Sequence, residues 1–149
     1  MTRKTICVVD DDPSVLRSLQ RLLHSDGLDA QTFDSPEVFL DYAREHVITL
    51  VVLDFSMPGK NGIEVQKQLR ELSPRTRVVM ITGREEPATR ALALQGGAFA
   101  FLVKPFEDHA FLAAVNGALR HAAQDRSPRR PSATVKARLT KFAADSARQ

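Results

Sequence analysis

Two hydrophobic patterns alternate along residues 5–123 of this chain. Short, nearly continuous apolar runs predict buried strands, and they are "TICVVD", "LDAQTF", "ITLVVLDF", "TRVVMITG" and "AFAFLVKPF". After each run, apolar residues recur at helical spacing, in "DPSVLRSLQRLLHSDG", "SPEVFLDYAREH", "GIEVQKQLRELSP", "EPATRALALQGG" and "EDHAFLAAVNGALRHAA". Strands that alternate with helices in this way predict an α/β fold, a doubly wound parallel sheet with helices on both faces.

Capping residues support the predicted ends of the first two helices. Asp12 is suited to cap the first helix, Pro13 fits its first position, and Gly27 ends it. Ser35 and Pro36 repeat the same start for the second helix. The residues that follow the strands are then the ones to inspect, because doubly wound sheets bind ligands beyond the carboxyl ends of their strands.

The last part of the chain has a different composition. The stretch "DRSPRRPS" is typical of a linker, and Val135, Leu139 and Phe142 after it have the spacing of a weak amphipathic helix. Residues 1–119 carry 13 Lys or Arg against 16 Asp or Glu, whereas residues 120–149 carry 8 against 2. We therefore predict a folded domain, 1–123, and a basic tail, 124–149, that is partly disordered or a short amphipathic helix rather than a nucleic-acid contact.

The remaining composition narrows the class of protein. The single cysteine, Cys7, excludes an internal disulfide and fits a reducing compartment. No apolar run approaches the length of a membrane span, and the amino-terminal "MTRKTICVVDDD" has the pattern of a first strand rather than a signal peptide. We expect a cytoplasmic protein without a membrane contact.

Polar residues end or follow four of the predicted strands. Asp10 and Asp11 follow the first strand, Asp54 lies near the end of the third, Thr82 near the end of the fourth and Lys104 near the end of the fifth. Adjacent carboxylates repel one another unless a cation lies among them, and their hard oxygen atoms suit Mg²⁺. The pattern therefore predicts a Mg²⁺ site, in which Mn²⁺ is an alternative.

Asp54 is the candidate nucleophile among these residues. It lies at the tip of the most apolar strand, and a carboxylate can attack phosphorus to form an aspartyl phosphate. The phosphoryl oxygens then need a metal, a fixed cation and a hydrogen-bond donor, and Lys104 and Thr82 would supply the last two.

Four segments carry a resemblance to a known family. They are "VVDDD", "LVVLDFSMPGKNG", "VVMITG" and "AFAFLVKPF", in the right order and spacing over residues 4–122. In these segments the chain resembles a response-regulator receiver domain of two-component signalling. The resemblance implies a flavodoxin-like sheet of five parallel strands in the order 2-1-3-4-5, with five helices.

The resemblance implies a role for each residue at the strand ends. Asp54 would accept a phosphoryl group from a histidine kinase and also bind the metal. Asp10 and Asp11 would be the acidic pair of the Mg²⁺ site, with Asp11 favoured as the direct ligand. The backbone carbonyl of Ser56 would be a further protein ligand, and Asp12 is assigned to helix capping.

The resemblance also implies a switch. Thr82 would hydrogen-bond the phosphoryl group, Lys104 would pair with a phosphoryl oxygen, and the Lys104–Pro105 peptide bond would be cis. Phe101 occupies the aromatic switch position and would rotate inward as Thr82 moves, which would reshape the face of the fourth helix, fifth strand and fifth helix.

The apolar residues of the fourth helix are expected to divide between two roles. Some would serve the core, and the rest would form a surface for a dimer or another partner. These residues are Ala88, Ala91, Leu92 and Leu94.

We therefore predict a phosphorylation-dependent response regulator, a single-domain receiver, and not an enzyme beyond intrinsic autophosphatase activity. Its partners would be a histidine kinase, a downstream or phosphorelay protein, and a second copy through the switch face. The stretch "LDFSMPGKNGIEV" is similar to regulators of the FixJ type, but the residues after the linker are too few for a helix-turn-helix domain. The alternative is a truncated or degenerate transcriptional regulator whose basic tail contacts nucleic acid.

Two other classes need residues that this chain lacks at the key positions. A phosphatase of the haloacid dehalogenase type would need a second aspartate two residues after the nucleophile, where Ser56 stands. A flavin-binding electron carrier would need a Ser/Thr/Gly-rich phosphate loop after the first strand, where three aspartates would repel a phosphate.

Overall fold

The computed structural model describes residues 4–125 of the chain, with side chains for residues 4–122. Its strands are β1 (Ile6–Val9), β2 (Ala30–Phe33), β3 (Leu50–Asp54), β4 (Arg77–Thr82) and β5 (Ala100–Val103). Its helices are α1 (Pro13–Ser25), α2 (Pro36–Glu45), α3 (Gly62–Leu72), α4 (Pro87–Gln95) and α5 (Asp108–Asp125). Strand and helix alternate throughout, as the hydrophobic pattern predicts.

The strands form one parallel sheet in the order β2-β1-β3-β4-β5. This is the doubly wound, flavodoxin-like topology, and it confirms the predicted fold class. β3 lies at the centre and is buried along its whole length, which explains its continuous apolar sequence. Asp54, the last residue of β3, therefore lies at the carboxyl edge of the sheet, at the end of a fully buried central strand.

Successive side chains of each strand enter two separate cores. Cys7 and Val9 of β1 pack in the cluster that also contains buried residues of α2, α3 and α4. Ile6 and Val8 pack in the cluster that contains buried residues of α1 and α5. Burial raises the pKa of the Cys7 thiol to about 12, so this cysteine is an inert packing residue.

Side chains cap three of the helices. Asp12 accepts a hydrogen bond from the Ser14 amide at 2.9 Å, and Ser35 accepts one from the Val38 amide at 3.3 Å, as predicted. Asn61 caps α3 by accepting from the Glu64 amide at 3.0 Å. These caps fix where the loops after β1 and β3 end, and those two loops flank the acidic cluster.

The rotation of α4 about its axis differs from the prediction. Thr89 and Ala93 are its buried residues, whereas all four apolar residues assigned partly to the core are exposed, namely Ala88, Ala91, Leu92 and Leu94. The expectation that some of them serve the core was wrong. Small side chains at positions 89 and 93 let the helix approach the sheet, and its alternating Ala and Leu residues gave no clear helical period.

Two side chains of α3 hold the carboxyl end of α4. The buried Gln66 donates from Nε2 to the Ala93 carbonyl at 2.9 Å, and Arg70 donates from Nη1 to the Gly96 carbonyl at 2.8 Å. At the other end, Glu86 occupies the cap position of α4 and makes no capping hydrogen bond with its side chain. The helix is thus tied to α3 mainly at one end.

Within residues 4–125, no helix combines the length and apolarity that crossing a membrane requires. The helix α5 continues to Asp125, two residues beyond the predicted domain boundary. The rest of the predicted basic tail lies outside the described residues.

Candidate functional site

The topology gathers the predicted site residues at one edge of the sheet. Asp10 directly follows β1, Asp54 ends β3, Thr82 ends β4, and Lys104 directly follows β5. The parallel register places Asp54 opposite Ile81 and Thr82 opposite Val103, so the strand ends lie level with one another. Residues from four strands therefore meet in one polar cluster.

Lys104 lies between two carboxylates of this cluster. Its Nζ atom donates to Asp10 Oδ2 at 2.9 Å and is 3.3 Å from Asp54 Oδ1. The two carboxylates are almost fully buried, with relative exposures of 1% for Asp10 and 3% for Asp54. An ammonium that bridges two buried carboxylates is a fixed positive charge, because moving it would leave both acids unpaired.

Three carboxylates of the cluster can share one cation. Asp10, Asp11 and Asp54 each offer a carboxylate oxygen, and these oxygens lie within 4.8 Å of one another. Asp10 already accepts hydrogen bonds from the Asp12 amide at 2.9 Å and from Lys104. Asp11 is exposed, and its carboxylate makes no hydrogen bond with another residue of the described part of the chain. A hard oxygen donor set with one solvent-facing carboxylate fits Mg²⁺.

The cluster also shifts the affinities of its groups for protons. Burial, reinforced by the negative charge of Asp10, raises the pKa of Asp54 to about 6 against the opposing effect of Lys104. Burial alone would lower the pKa of Lys104, but the hydrogen bond to Asp10 and the charge of Asp54 outweigh it, so this pKa is raised. Three acids around one ammonium leave an excess of negative charge, which a divalent cation would compensate.

Thr82 lies at the end of β4 with its side chain buried. Its hydroxyl is engaged with the backbone of Arg84, accepting from the amide at 3.3 Å and donating to the carbonyl at 3.4 Å. The amide of Lys104 donates to the Thr82 carbonyl at 2.7 Å, and the Lys104–Pro105 peptide bond is cis. Thr82 is thus joined both to the strand that presents Lys104 and to the loop that leads into α4.

Phe101 lies on β5 with 6% of its surface exposed, inside the core cluster that also contains Met80 and Ala93. The guanidinium carbon of Arg90 on α4 lies 5.0 Å from the centre of the Phe101 ring, within cation–π range. Arg90 also donates from Nε to Glu85 at 3.3 Å. The aromatic ring is therefore covered by a charged residue that no sequence pattern connects with it.

A short loop, residues 55–61, joins the end of β3 to α3 and carries the exposed Ser56. The Gly62 amide donates to the Phe55 carbonyl at 2.7 Å, which closes the base of this loop. Sequence reasoning missed Gly62. A glycine at the first position of a helix, directly after an Asn cap, is a poor helix former, and that alone could have marked it for attention.

The chain is similar to known proteins over most of its length. A profile of the response regulator receiver domain matches residues 6–116. The response regulator protein TodT of Pseudomonas putida is 36% identical over 122 residues, which is 82% of this chain and 54% of TodT. The chain spans about half the length of the curated relatives it matches.

Solved structures of response regulators are also similar to this chain. The structure of the response regulator StyR is 36% identical with a TM-score of 0.77, and the match covers 96% of this chain and 70% of that one. The solution structure of the beryllofluoride-activated NtrC4 receiver domain dimer is 30% identical with a TM-score of 0.76, covering 79% of this chain and 98% of that one.

Proposed function

This chain belongs to the response regulator receiver domain family, and from that membership we propose that it is a phosphorylation-dependent switch whose Asp54 takes a phosphoryl group from a histidine kinase. The observation that carries the proposal is the position of Lys104, bonded to Asp10 and 3.3 Å from Asp54. Phosphoryl transfer depends on positioning and charge stabilisation, and a fixed cation beside a buried carboxylate supplies both.

The proposed transfer uses the groups at this edge, the Mg²⁺ that they would hold, and the phosphohistidine of the kinase. A carboxylate oxygen of Asp54 attacks the phosphorus of the kinase phosphohistidine, and the new O–P bond forms as the P–N bond breaks. The electron pair of the P–N bond goes to the imidazole nitrogen, which takes up a proton from solvent as it leaves. Lys104 stabilises the negative charge on the phosphoryl oxygens in the product, an acyl phosphate.

The three carboxylates would have different roles toward Mg²⁺. Asp11 is exposed and Asp54 faces the same cluster, so these two carboxylates and the Ser56 carbonyl are the proposed protein ligands. Asp10 already uses both carboxylate oxygens, for Lys104 and for the Asp12 amide, and is therefore assigned mainly to holding Lys104 in place. The bound cation would neutralise charge between the carboxylates and the phosphoryl oxygens.

The proposed switch runs from Thr82 to α4. A phosphoryl group on Asp54 adds acceptor oxygens at the edge where Thr82 ends β4, and these oxygens compete with the Arg84 backbone for the Thr82 hydroxyl. The loop that leads from Arg84 into α4 would then move. Phe101 is already buried in this structure, so the predicted switch acts through the packing of α4 over this ring as much as through rotation of the ring itself.

The proposed output face lies on α4, β5 and α5. Leu92 and Leu94 of α4 are 52% and 43% exposed, a surface that a downstream protein or a second copy of the chain would cover. The solved structure of NtrC4 is a receiver domain dimer, which supports a homodimer as one use of this face.

A matched pair of variants tests the phosphoacceptor. Incubation with acetyl phosphate and Mg²⁺ should add one phosphoryl group to the native chain by intact mass, and Asp54→Asn should abolish the addition. Asp12→Asn should leave it unchanged, because asparagine also caps helices well. An undiminished mass shift in Asp54→Asn would refute the assignment.

The alternative, a transcriptional regulator with a nucleic-acid-contacting tail, depends on the positive charge after residue 119. A gel-shift series in rising salt tests it, with and without residues 126–149. Binding that shows sequence preference and survives moderate salt would favour the alternative, whereas loss of all binding at moderate salt would leave the switch as the function.

A further inference from the structure

Gly62 is packed against the backbone that presents Asp54. It is the first residue of α3, and its amide donates to the Phe55 carbonyl at 2.7 Å. A Cβ atom at position 62 would lie 2.8 Å from the Phe55 Cα, 3.1 Å from the Asp54 carbonyl oxygen and 2.9 Å from the Met80 sulfur. The start of α3 therefore reaches the end of β3 more closely than any side chain permits.

The two backbone contacts decide what a side chain would do here. Met80 is fully buried, but its thioether is flexible and can adjust. The Phe55 Cα and the Asp54 carbonyl have less freedom, because Asp54 is paired with Ile81 of β4 and the Phe55 amide donates to the Ile81 carbonyl at 2.8 Å. A methyl group at position 62 must therefore displace either the start of α3 or the segment Asp54–Phe55.

Backbone conformation does not explain this glycine. Among the described residues, positive φ angles occur at Gly27, Gly59 and Gly97, and not at Gly62. Alanine is also the better helix former, so helix propensity alone would favour alanine at this position. Close approach to the Asp54 backbone is the remaining reason for a glycine at the base of the loop that carries Ser56.

We propose that Gly62 is a positioning residue for the cation site. Its lack of a side chain lets the start of α3 pack against the Asp54–Phe55 backbone, and this packing sets the distance between the Asp54 carboxylate and the Ser56 carbonyl. The inference rests on the proposed function, in which Asp54 and the Ser56 carbonyl bind Mg²⁺ together. A shift of a few tenths of an ångström in this backbone changes the spacing of two ligands, and Mg²⁺ tolerates little deviation from octahedral geometry.

The test compares Gly62→Ala with Gly83→Ala in the full chain. Gly83 follows β4 at the same edge of the sheet, has no positive φ, and a Cβ there would meet nothing within 4 Å. Mg²⁺ is titrated without a phosphoryl donor, and amide chemical shifts report the dissociation constant. We expect Gly62→Ala to weaken Mg²⁺ binding about tenfold, the size of effect seen when residues that orient metal ligands are changed. Gly83→Ala should stay within twofold of the native chain.

A second measurement separates positioning from stability. Mg²⁺ that binds the folded state raises the urea midpoint, and the Mg²⁺ concentration at which the rise begins reports the dissociation constant whatever the starting stability. For Gly62→Ala this onset should move to about tenfold higher Mg²⁺, even if the variant is partly unfolded without metal.

The outcomes distinguish the inference from the proposed function. If the native chain binds Mg²⁺ and is phosphorylated on Asp54, but Gly62→Ala keeps the native onset, the positioning role is overturned and the proposed function stands. If the native chain ignores Mg²⁺, the proposed function fails first and the positioning role fails with it. A Gly83→Ala variant that weakens binding as much as Gly62→Ala would also overturn the role.

Discussion

Asp10 and Asp11 are adjacent in the chain and meet different environments. Asp10 is 1% exposed and accepts hydrogen bonds from Lys104 and from the Asp12 amide, whereas Asp11 is exposed to solvent. Successive side chains after a strand point in different directions, so one carboxylate turns into the cluster and the other faces solvent. The buried acid fixes the lysine, and the exposed acid stays available for a cation.

The ionisation of Asp54 makes the stability of the fold depend on pH. Its folded pKa of about 6 lies above the ordinary value of 3.8, so the folded state holds a proton that the unfolded state has lost between about pH 4 and pH 6. The stability contributed by this carboxyl is therefore present at low pH and is lost as the pH rises through 6. We expect metal-free Asp54→Asn to be more stable than the native chain at pH 7.5 by about 1–3 kcal/mol.

Urea unfolding at pH 7.5 and at pH 4.0 measures this difference, which should shrink toward zero at the lower pH. Asp12→Asn is the matched control. The Ser14 hydroxyl, by hydrogen bonding, holds the pKa of the exposed Asp12 below its ordinary value, so removing this acid should not stabilise the protein at pH 7.5. Equal stability of Asp54→Asn and the native chain at pH 7.5 would contradict the expectation.

Sequence reasoning found the residues that the strand ends present and missed those that other segments bring to them. Asp54, Thr82 and Lys104 were predictable because parallel strands end at a common edge. The contacts of Gly62 and Arg90 were not, because each depends on the distance and rotation of a helix relative to the sheet. No local pattern encodes those two quantities.

Among whole elements, α4 shows most clearly that a sequence pattern does not encode the rotation of a helix relative to the sheet. Residues 91–94 alternate between alanine and leucine, so hydrophobicity does not show which side of the helix faces the sheet. The structure turns Thr89 and Ala93 inward, and the buried Gln66 reaches the helix end from α3. A buried glutamine is stable there because its amide is satisfied, and only the assembled fold supplies its partner.

Arg90 should couple α4 to β5 through the Phe101 ring. We expect a double-mutant cycle of Arg90→Ala and Phe101→Leu to give a coupling of about 0.5–1 kcal/mol in the free energy of unfolding, the size of a partly exposed cation–π contact. Urea denaturation of the native chain, both single variants and the double variant measures it.

A second cycle, with Arg84 in the place of Arg90, is the control. Arg84 pairs with Glu86 at 3.6 Å and is 79% exposed on the neighbouring loop. Arg84→Ala combined with Phe101→Leu should be additive, since exposed pairs contribute little. Additivity in the Arg90 cycle as well would show that the ring and the guanidinium touch without interacting.

Over the whole molecule, the parallel topology brings together residues that are far apart in the sequence. Lys104 and Asp10 are 94 residues apart and share a hydrogen bond, because β5 and β1 end at the same edge. This is why motifs scattered from residue 10 to residue 104 were enough to predict the fold and the residues that meet at this edge. What they could not provide was the separation between loops, which depends on how every layer packs.

The domain boundary is testable at this scale. Both cores are built from residues 6–122, and the domain is predicted to fold without the basic tail. We expect a chain that ends at residue 125 to have a free energy of unfolding, measured in urea, within about 0.5 kcal/mol of that of the full chain. It should also respond to Mg²⁺ as the full chain does. A larger loss of stability, or a shifted Mg²⁺ response, would place part of the tail on the domain.

The attachment of α4 has a mechanical consequence. Gln66 and Arg70 hold its carboxyl end, while its amino end continues directly from the loop that contains Arg84. In the proposed switch, a push from this loop would displace the helix more at Pro87 than at Gly96, because Gln66 and Arg70 hold the Gly96 end. A partner that binds the first turn of α4 would then contact the part of the helix that responds most to phosphorylation of Asp54.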